Sequence, residues 1–78
     1  MVTVHLFAAA RAAAGVSSIT VDSMTVAEIL NHCANLNANL SRIIPQCSVL
    51  LDSVICHDYN LFVNSGQQLD LLPKFAGG

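Results

Sequence analysis

The chain has 78 residues, of which 54% are hydrophobic and 10% charged, and its formal net charge at pH 7 is −2. A domain of this size buries only about 60–65% of its unfolded surface, so this much apolar content implies an exposed patch, the usual mark of a partner. Arg11, Arg42 and Lys74 are too few and too scattered to neutralise a phosphate backbone, which argues against nucleic acid; no run reaches the roughly 18 apolar residues of a membrane span.

Residues 2–7, VTVHLF, alternate and are rich in branched and aromatic side chains, which predicts a strand. AAARAAA at 8–14 is a run of strong helix formers stopped by Gly15, and SSITV at 17–21 predicts a second strand. The opening MVTVHLFAAARAAAG has the small and apolar residues of a signal peptide. It lacks a basic n-region, carries His5 inside the apolar run and has its only charge, Arg11, late, so it reads as folded structure.

Thr25-Val26-Ala27-Glu28 fits a capping box, in which the Thr25 hydroxyl and the Glu28 carboxylate close each other's open backbone donors. Val26, Ile29, Leu30, Cys33 and Leu36 follow at helical spacing as one apolar stripe. Asn35, Asn37 and Asn39 weaken the helix and end it near residue 37, and Leu40 to Ile44 add a short turn before Pro45. SVLLD at 48–52 predicts a third strand, Asp52-Ser53 a turn, and Val54 to Cys56 a short continuation. The stretch from Asp58 to Gly66 is polar and turn-prone, and QQLDLL at 67–72 is the last strand. This order predicts an α+β roll in which a mixed sheet of four to five strands packs on one main helix. It forms a single domain over 1–78 with a flexible tail at 73–78.

The side chains offer little chemistry. Cys33, Cys47 and Cys56 are an odd, sparse set without CxxC spacing, which suits a reducing cytoplasm rather than a disulfide framework. His32 and Cys33 adjoin on the helix, but neighbouring helical residues point in different directions, and Cys33 continues the apolar stripe. Cys56-His57 adjoins a turn, and His5 stands on an alternating strand as a half-exposed residue. No Ser-His-Asp set, phosphate-binding loop or metal cluster is present, and no two of the five carboxylates are close in sequence. What remains is the main-chain carboxylate of Gly78. Gly77 and Gly78 carry no Cβ, so they can pass a constriction that any side chain would block and present that carboxylate to a partner's active site. Once activated as a mixed anhydride, it becomes open to a sulfur nucleophile.

VHLFAAARAAAG at the start, with Phe7, Ala8, Arg11 and Gly15, the helix opening TVAEIL at 25–30, and LDLLPKFAGG at the end together resemble the β-grasp, ubiquitin-like sulfur carriers. The nearest type is the small subunit of molybdopterin synthase, and the resemblance covers nearly the whole chain. It implies that an adenylyltransferase related to ubiquitin-activating enzymes consumes ATP to adenylate Gly78, which a sulfur donor then converts to a thiocarboxylate. The carrier itself holds no cofactor. It then docks on the large synthase subunit and gives sulfur to a pterin precursor of the molybdenum cofactor. Carried over by position, Gly77 and Gly78 are the reacting tail and Lys74, Phe75 and Ala76 its lead-in. Phe7, Ile55 and Leu72 match an apolar docking face, with core packing the alternative for each. Asp52, Gly66-Gln67-Gln68 and Pro73-Lys74 depart from the family's usual asparagine, Gly-Asp-Glu and Pro-Pro. Carriers feeding thiamin, cysteine or tRNA-thiolation pathways use the same tail chemistry. A ubiquitin-like interaction module and a small cysteine enzyme using Cys56 are the readings from other classes.

Overall fold

Along β1 (Val2–Leu6) the residues Val2, Val4 and Leu6 are buried while Thr3 and His5 are half-buried, so the strand presents one apolar face to the core and one to the outside. The structure, a computed structural model, describes residues 1–74. Helix α1 (Ala8–Ala14) buries Ala10 and ends where Gly15, at φ 76°, donates its N–H to the Arg11 carbonyl at 2.9 Å. A left-handed cap of this kind suits glycine, which has no Cβ to clash. Strand β2 (Ser18–Val21) then returns antiparallel beside β1.

The capping box at Thr25 forms as the sequence predicts: the Thr25 N–H donates to Glu28 Oε1 at 3.0 Å and the Glu28 N–H to Thr25 Oγ1 at 3.2 Å. The other two open donors of the first turn of α2 (Val26–Leu36) are also satisfied. The Val26 and Ala27 N–H groups donate to the Leu61 and Tyr59 carbonyls, both at 2.9 Å. The irregular segment that precedes the last strand is thereby tied across the start of α2, and it sends Val63 into the core.

Leu36 departs from its predicted stripe. It is 57% exposed, because α2 ends there and Asn37 is extended at φ −157°. Asn37 does more than stop a helix: its side-chain carbonyl accepts from the Asn39 and Leu40 N–H groups and starts α3 (Ala38–Ile43). The predicted short turn is therefore a full helix that begins two residues earlier, followed by a 3₁₀ turn at Ile44–Gln46.

Strands β3 (Cys47–Leu51) and β4 (Val54–Ile55) form a hairpin around Asp52-Ser53, and β5 (Gln68–Pro73) completes a sheet of order β2-β1-β5-β3-β4. β5 runs parallel to β1 and antiparallel to β3. It carries one residue further than predicted: Pro73, assigned from sequence to the flexible tail, pairs with Cys47 inside the sheet. Val2, Val4, Ile29, Leu40, Leu69 and Leu71 join residues from all three helices and the sheet in one core cluster, so the helices share one face of the sheet. Among the described residues no helix is long and apolar enough to cross a membrane.

Candidate functional site

The face of the sheet away from the helices can be read from register. Val2, Val4 and Leu6 on β1, Leu69 and Leu71 on β5, and Cys47 and Val49 on β3 point inward. Alternation then puts His5, Asp70 and Leu50 outward, where pairing aligns them with Ile55 in one row across β1, β5, β3 and β4. In the next row Leu72 pairs with Ser48. Phe7 extends that row on the β1 side: its backbone is extended at φ −120° and its N–H donates to the Leu71 carbonyl at 3.2 Å. Immediately after it the chain bends at Ala8, which takes φ 50°, an unfavourable value for a residue with a Cβ.

All three residues proposed for docking thus lie on one open face. Phe7 is 39% exposed, Ile55 is 55% exposed and Leu72 is half-buried, and none belongs to the core cluster. Phe7 and Leu72 are neighbours by register, whereas Ile55 sits at the far edge of the sheet. Sequence reasoning missed Leu50, the apolar residue that bridges Ile55 to the central strand, and Asp70 beside it. The alternation of Cys47, Ser48, Val49 and Leu50 carries the signal for Leu50 once Val49 is known to face inward. Lys74, at the end of β5, is exposed, and its N–H donates to the Gln46 carbonyl at 2.9 Å. Phe75, Ala76, Gly77 and Gly78 lie outside the described residues.

The cysteines have the geometry of packed thiols. Cys33 is fully buried, and burial pushes its thiol and that of Cys47 above the usual range, away from the reactive thiolate. Cys56 lines a shallow cavity of about 130 Å³ with His57, Tyr59 and Lys74, an arrangement that superficially suits nucleophilic chemistry. Its Sγ, however, donates to the Asp58 carbonyl at 3.3 Å rather than engaging the neighbouring imidazole, and the residue is 7% exposed. A Cys–His pair able to activate a thiolate requires a hydrogen bond between the two side chains, and none joins Cys56 to His57. Asp52 and Glu28, both held below the usual carboxylate range, are structural. Asp52 accepts first from the Gln67 side chain at 2.9 Å and then from the Gln68 N–H at 3.0 Å. Glu28 accepts from the backbone and hydroxyl of Thr25.

No protein-family model matches the sequence, and no curated protein matches it either. Solved structures do match, over the full length. SAMP1 from Haloferax volcanii superposes with a TM-score of 0.83 at 24% identity, over 99% of this chain and 98% of that one. A chain of the BexX/CysO complex from Amycolatopsis orientalis does so at 0.79 and 24% identity, over 100% of both. A chain of the complex of subunits 1 and 2 of molybdopterin-converting factor from Helicobacter pylori 26695 gives 0.76 at 18% identity, over 99% and 97%. The fold is the ubiquitin-like β-grasp. In this β-grasp the helices cover one sheet face, no helix among the described residues covers the other, and the central strand β5 leads directly into Lys74 and the segment ending in Gly77-Gly78.

Proposed function

We propose that the chain is a sulfur carrier acting as the small subunit of molybdopterin synthase, with the main-chain carboxylate of Gly78 as its reacting group. The observation that supports this most directly is the junction of two features: a β-grasp that matches carrier structures end to end, and a central strand bordering the sheet face that carries Phe7, Leu50, Ile55 and Leu72 and leading into Phe75-Ala76-Gly77-Gly78. In this reading the carboxylate oxygen attacks the α-phosphate of ATP, releasing pyrophosphate and forming an acyl-adenylate on a ubiquitin-activating-enzyme-like adenylyltransferase. Sulfide then attacks the carbonyl carbon and AMP leaves, which yields the thiocarboxylate. Phe7, Ile55 and Leu72 dock on that enzyme and afterwards on the large synthase subunit, where the sulfur passes to the pterin precursor. The work is cytoplasmic, and the carrier contributes a presented carbonyl rather than catalytic side chains.

The H. pylori match is a complex of two subunits and the A. orientalis match is also a protein–protein complex, which favours a life spent docking. SAMP1 and CysO chains match at least as well as the molybdopterin-converting factor chain, so delivery of sulfur to another acceptor is the second reading.

The test is intact-mass measurement after incubating the full chain with ATP, the adenylyltransferase of its own source and a sulfide donor. A mass gain equal to exchanging one oxygen for sulfur is expected, located in the Gly77-Gly78 fragment. Deleting Gly78, or extending the chain by one residue beyond it, should abolish the gain while leaving the melting temperature unchanged, since terminal residues rarely carry the fold. An unchanged mass in the wild type would sink the carrier reading. Conversion of the pterin precursor by the loaded chain plus the large subunit then separates the molybdenum pathway from the others.

A further inference from the structure

Among the described residues, Asp70 is the only acid in a strand of the sheet, and it lies on the central strand. It faces outward between His5 and Leu50, with Leu72 beside it along the strand. Its Oδ1 has less than 1 Å² of exposed surface and no hydrogen-bond partner among the described residues. His5, directly across the ladder, does not donate to it, and Arg11 and Arg42 belong to helices packed on the opposite face. A buried carboxylate oxygen without a donor is a rare and costly feature of a folded chain, whereas an apolar or hydroxyl side chain at this strand position would carry no such cost.

We infer that Asp70 makes the open face selective for a partner that presents an arginine set among apolar side chains. This deepens the proposed carrier function and rests on it, because the partner meant is the adenylyltransferase or the large subunit. A guanidinium fits the site for two physical reasons. Its planar fork matches a carboxylate, and it is weakly hydrated, so it tolerates the part-desolvated surroundings beside Leu50 and Leu72. A charged pair flanked by apolar side chains, as Asp70 is by Leu50 and Leu72, is an arrangement in which interface energy concentrates, because those side chains help exclude the water that would otherwise screen it. The apolar residues alone would accept any greasy surface. Asp70 rejects those that offer it no cation, since docking them would seal the carboxylate away from water unpaired.

The experiment measures affinity of the wild type, Asp70→Asn and Asp70→Leu for the purified adenylyltransferase and large subunit of the same source, by calorimetry at low and high salt, with a thermal melt of each variant. Both variants should melt at or above the wild-type temperature and bind about 10- to 100-fold more weakly, with a shallower salt dependence. Asp70→Leu is the decisive arm: a purely apolar docking face should bind better with leucine there. Wild-type affinity for both partners in Asp70→Asn, or tighter binding in Asp70→Leu, overturns the inference and leaves the carrier reading standing. If the wild type binds neither partner, the carrier reading fails and the inference fails with it.

Discussion

Leu71 and Leu72 adjoin in sequence and sit on opposite faces of β5, so one substitution made at both positions tests the face assignment. Leu71 is fully buried and Leu72 is half-buried on the open side. Leu71→Glu removes a buried leucine, about 2–3 kcal/mol, and leaves an unpaired charge in the core, another 3–5 kcal/mol or so. A domain of this length has a total stability of roughly 4–12 kcal/mol, so that variant should be largely unfolded at 37 °C. Leu72→Glu forfeits the larger part of a leucine's burial, about 1.5–2.5 kcal/mol. It also places a second carboxylate two strand residues from Asp70, about 6.8 Å away, where the repulsion in water is about 0.6 kcal/mol. A loss of about 2–3 kcal/mol in a domain of this size lowers Tm by roughly 8–24 °C, well short of the loss expected at Leu71. Under the proposed function the same variant should weaken binding to the adenylyltransferase or large subunit by roughly 2–4 kcal/mol, or thirty- to a thousand-fold. Circular dichroism melts and calorimetry read the two effects separately. Equal destabilisation by the two variants, or a cooperative wild-type-like melt for Leu71→Glu, would refute the register on which the open face depends.

Three further outcomes follow from the geometry. The hairpin between β3 and β4 turns on Asp52 and Ser53 at φ 47° and 69°, so Ser53→Gly should relieve left-handed strain and raise stability by about 0.5–1 kcal/mol, seen as a higher Tm. Asp52 and Glu28 have folded-state affinities for protons held below the ordinary range. Their share of stability is therefore complete above that range and is lost as pH falls through the lowered values: urea midpoints should drop from about pH 5 to pH 3, and less steeply in an Asp52→Asn, Glu28→Gln double variant. Cys33→Ala should cost about 1–2 kcal/mol through lost packing and Cys56→Ala should still accept sulfur at Gly78; an inactive but folded Cys56→Ala chain would favour a cysteine enzyme instead.

Elements whose signals are local were legible in the sequence. The Thr25 box, the glycine stop at Gly15 and the alternation of Val2, Val4 and Leu6 each depend on residues within a few positions, and each stands where the spacing put it. The incomplete readings involve residues with two possible roles. Asn37 counts as a helix breaker by propensity, yet its side chain starts α3 by capping it, and that choice depends on where the chain must turn to bring Leu40 into the core. Leu36 matches the helical stripe by spacing, but at the last turn of α2 there is no further element for it to pack against, and it is left exposed.

The open face was half legible, and the reason is parity. Strand side chains alternate with period two, so fixing one inward residue fixes its neighbours: Leu6 inward puts Phe7 outward, and Leu69 inward puts Asp70 and Leu72 outward. The composition of LDLLP hides this, because three leucines surround one acid and any of them could serve as core. Asp70 resolves the ambiguity, since a carboxylate between two inward leucines can only face out. Read that way, the acid assigns Leu72 to the open face without any coordinates. Ile55 has no such help: β4 is two residues long, too short to show alternation, and only its pairing with Leu50 places it. Nor could parity have revealed that Asp70 Oδ1 is buried without a donor, because the burial of one atom depends on the packing around it rather than on the order of residues along one strand.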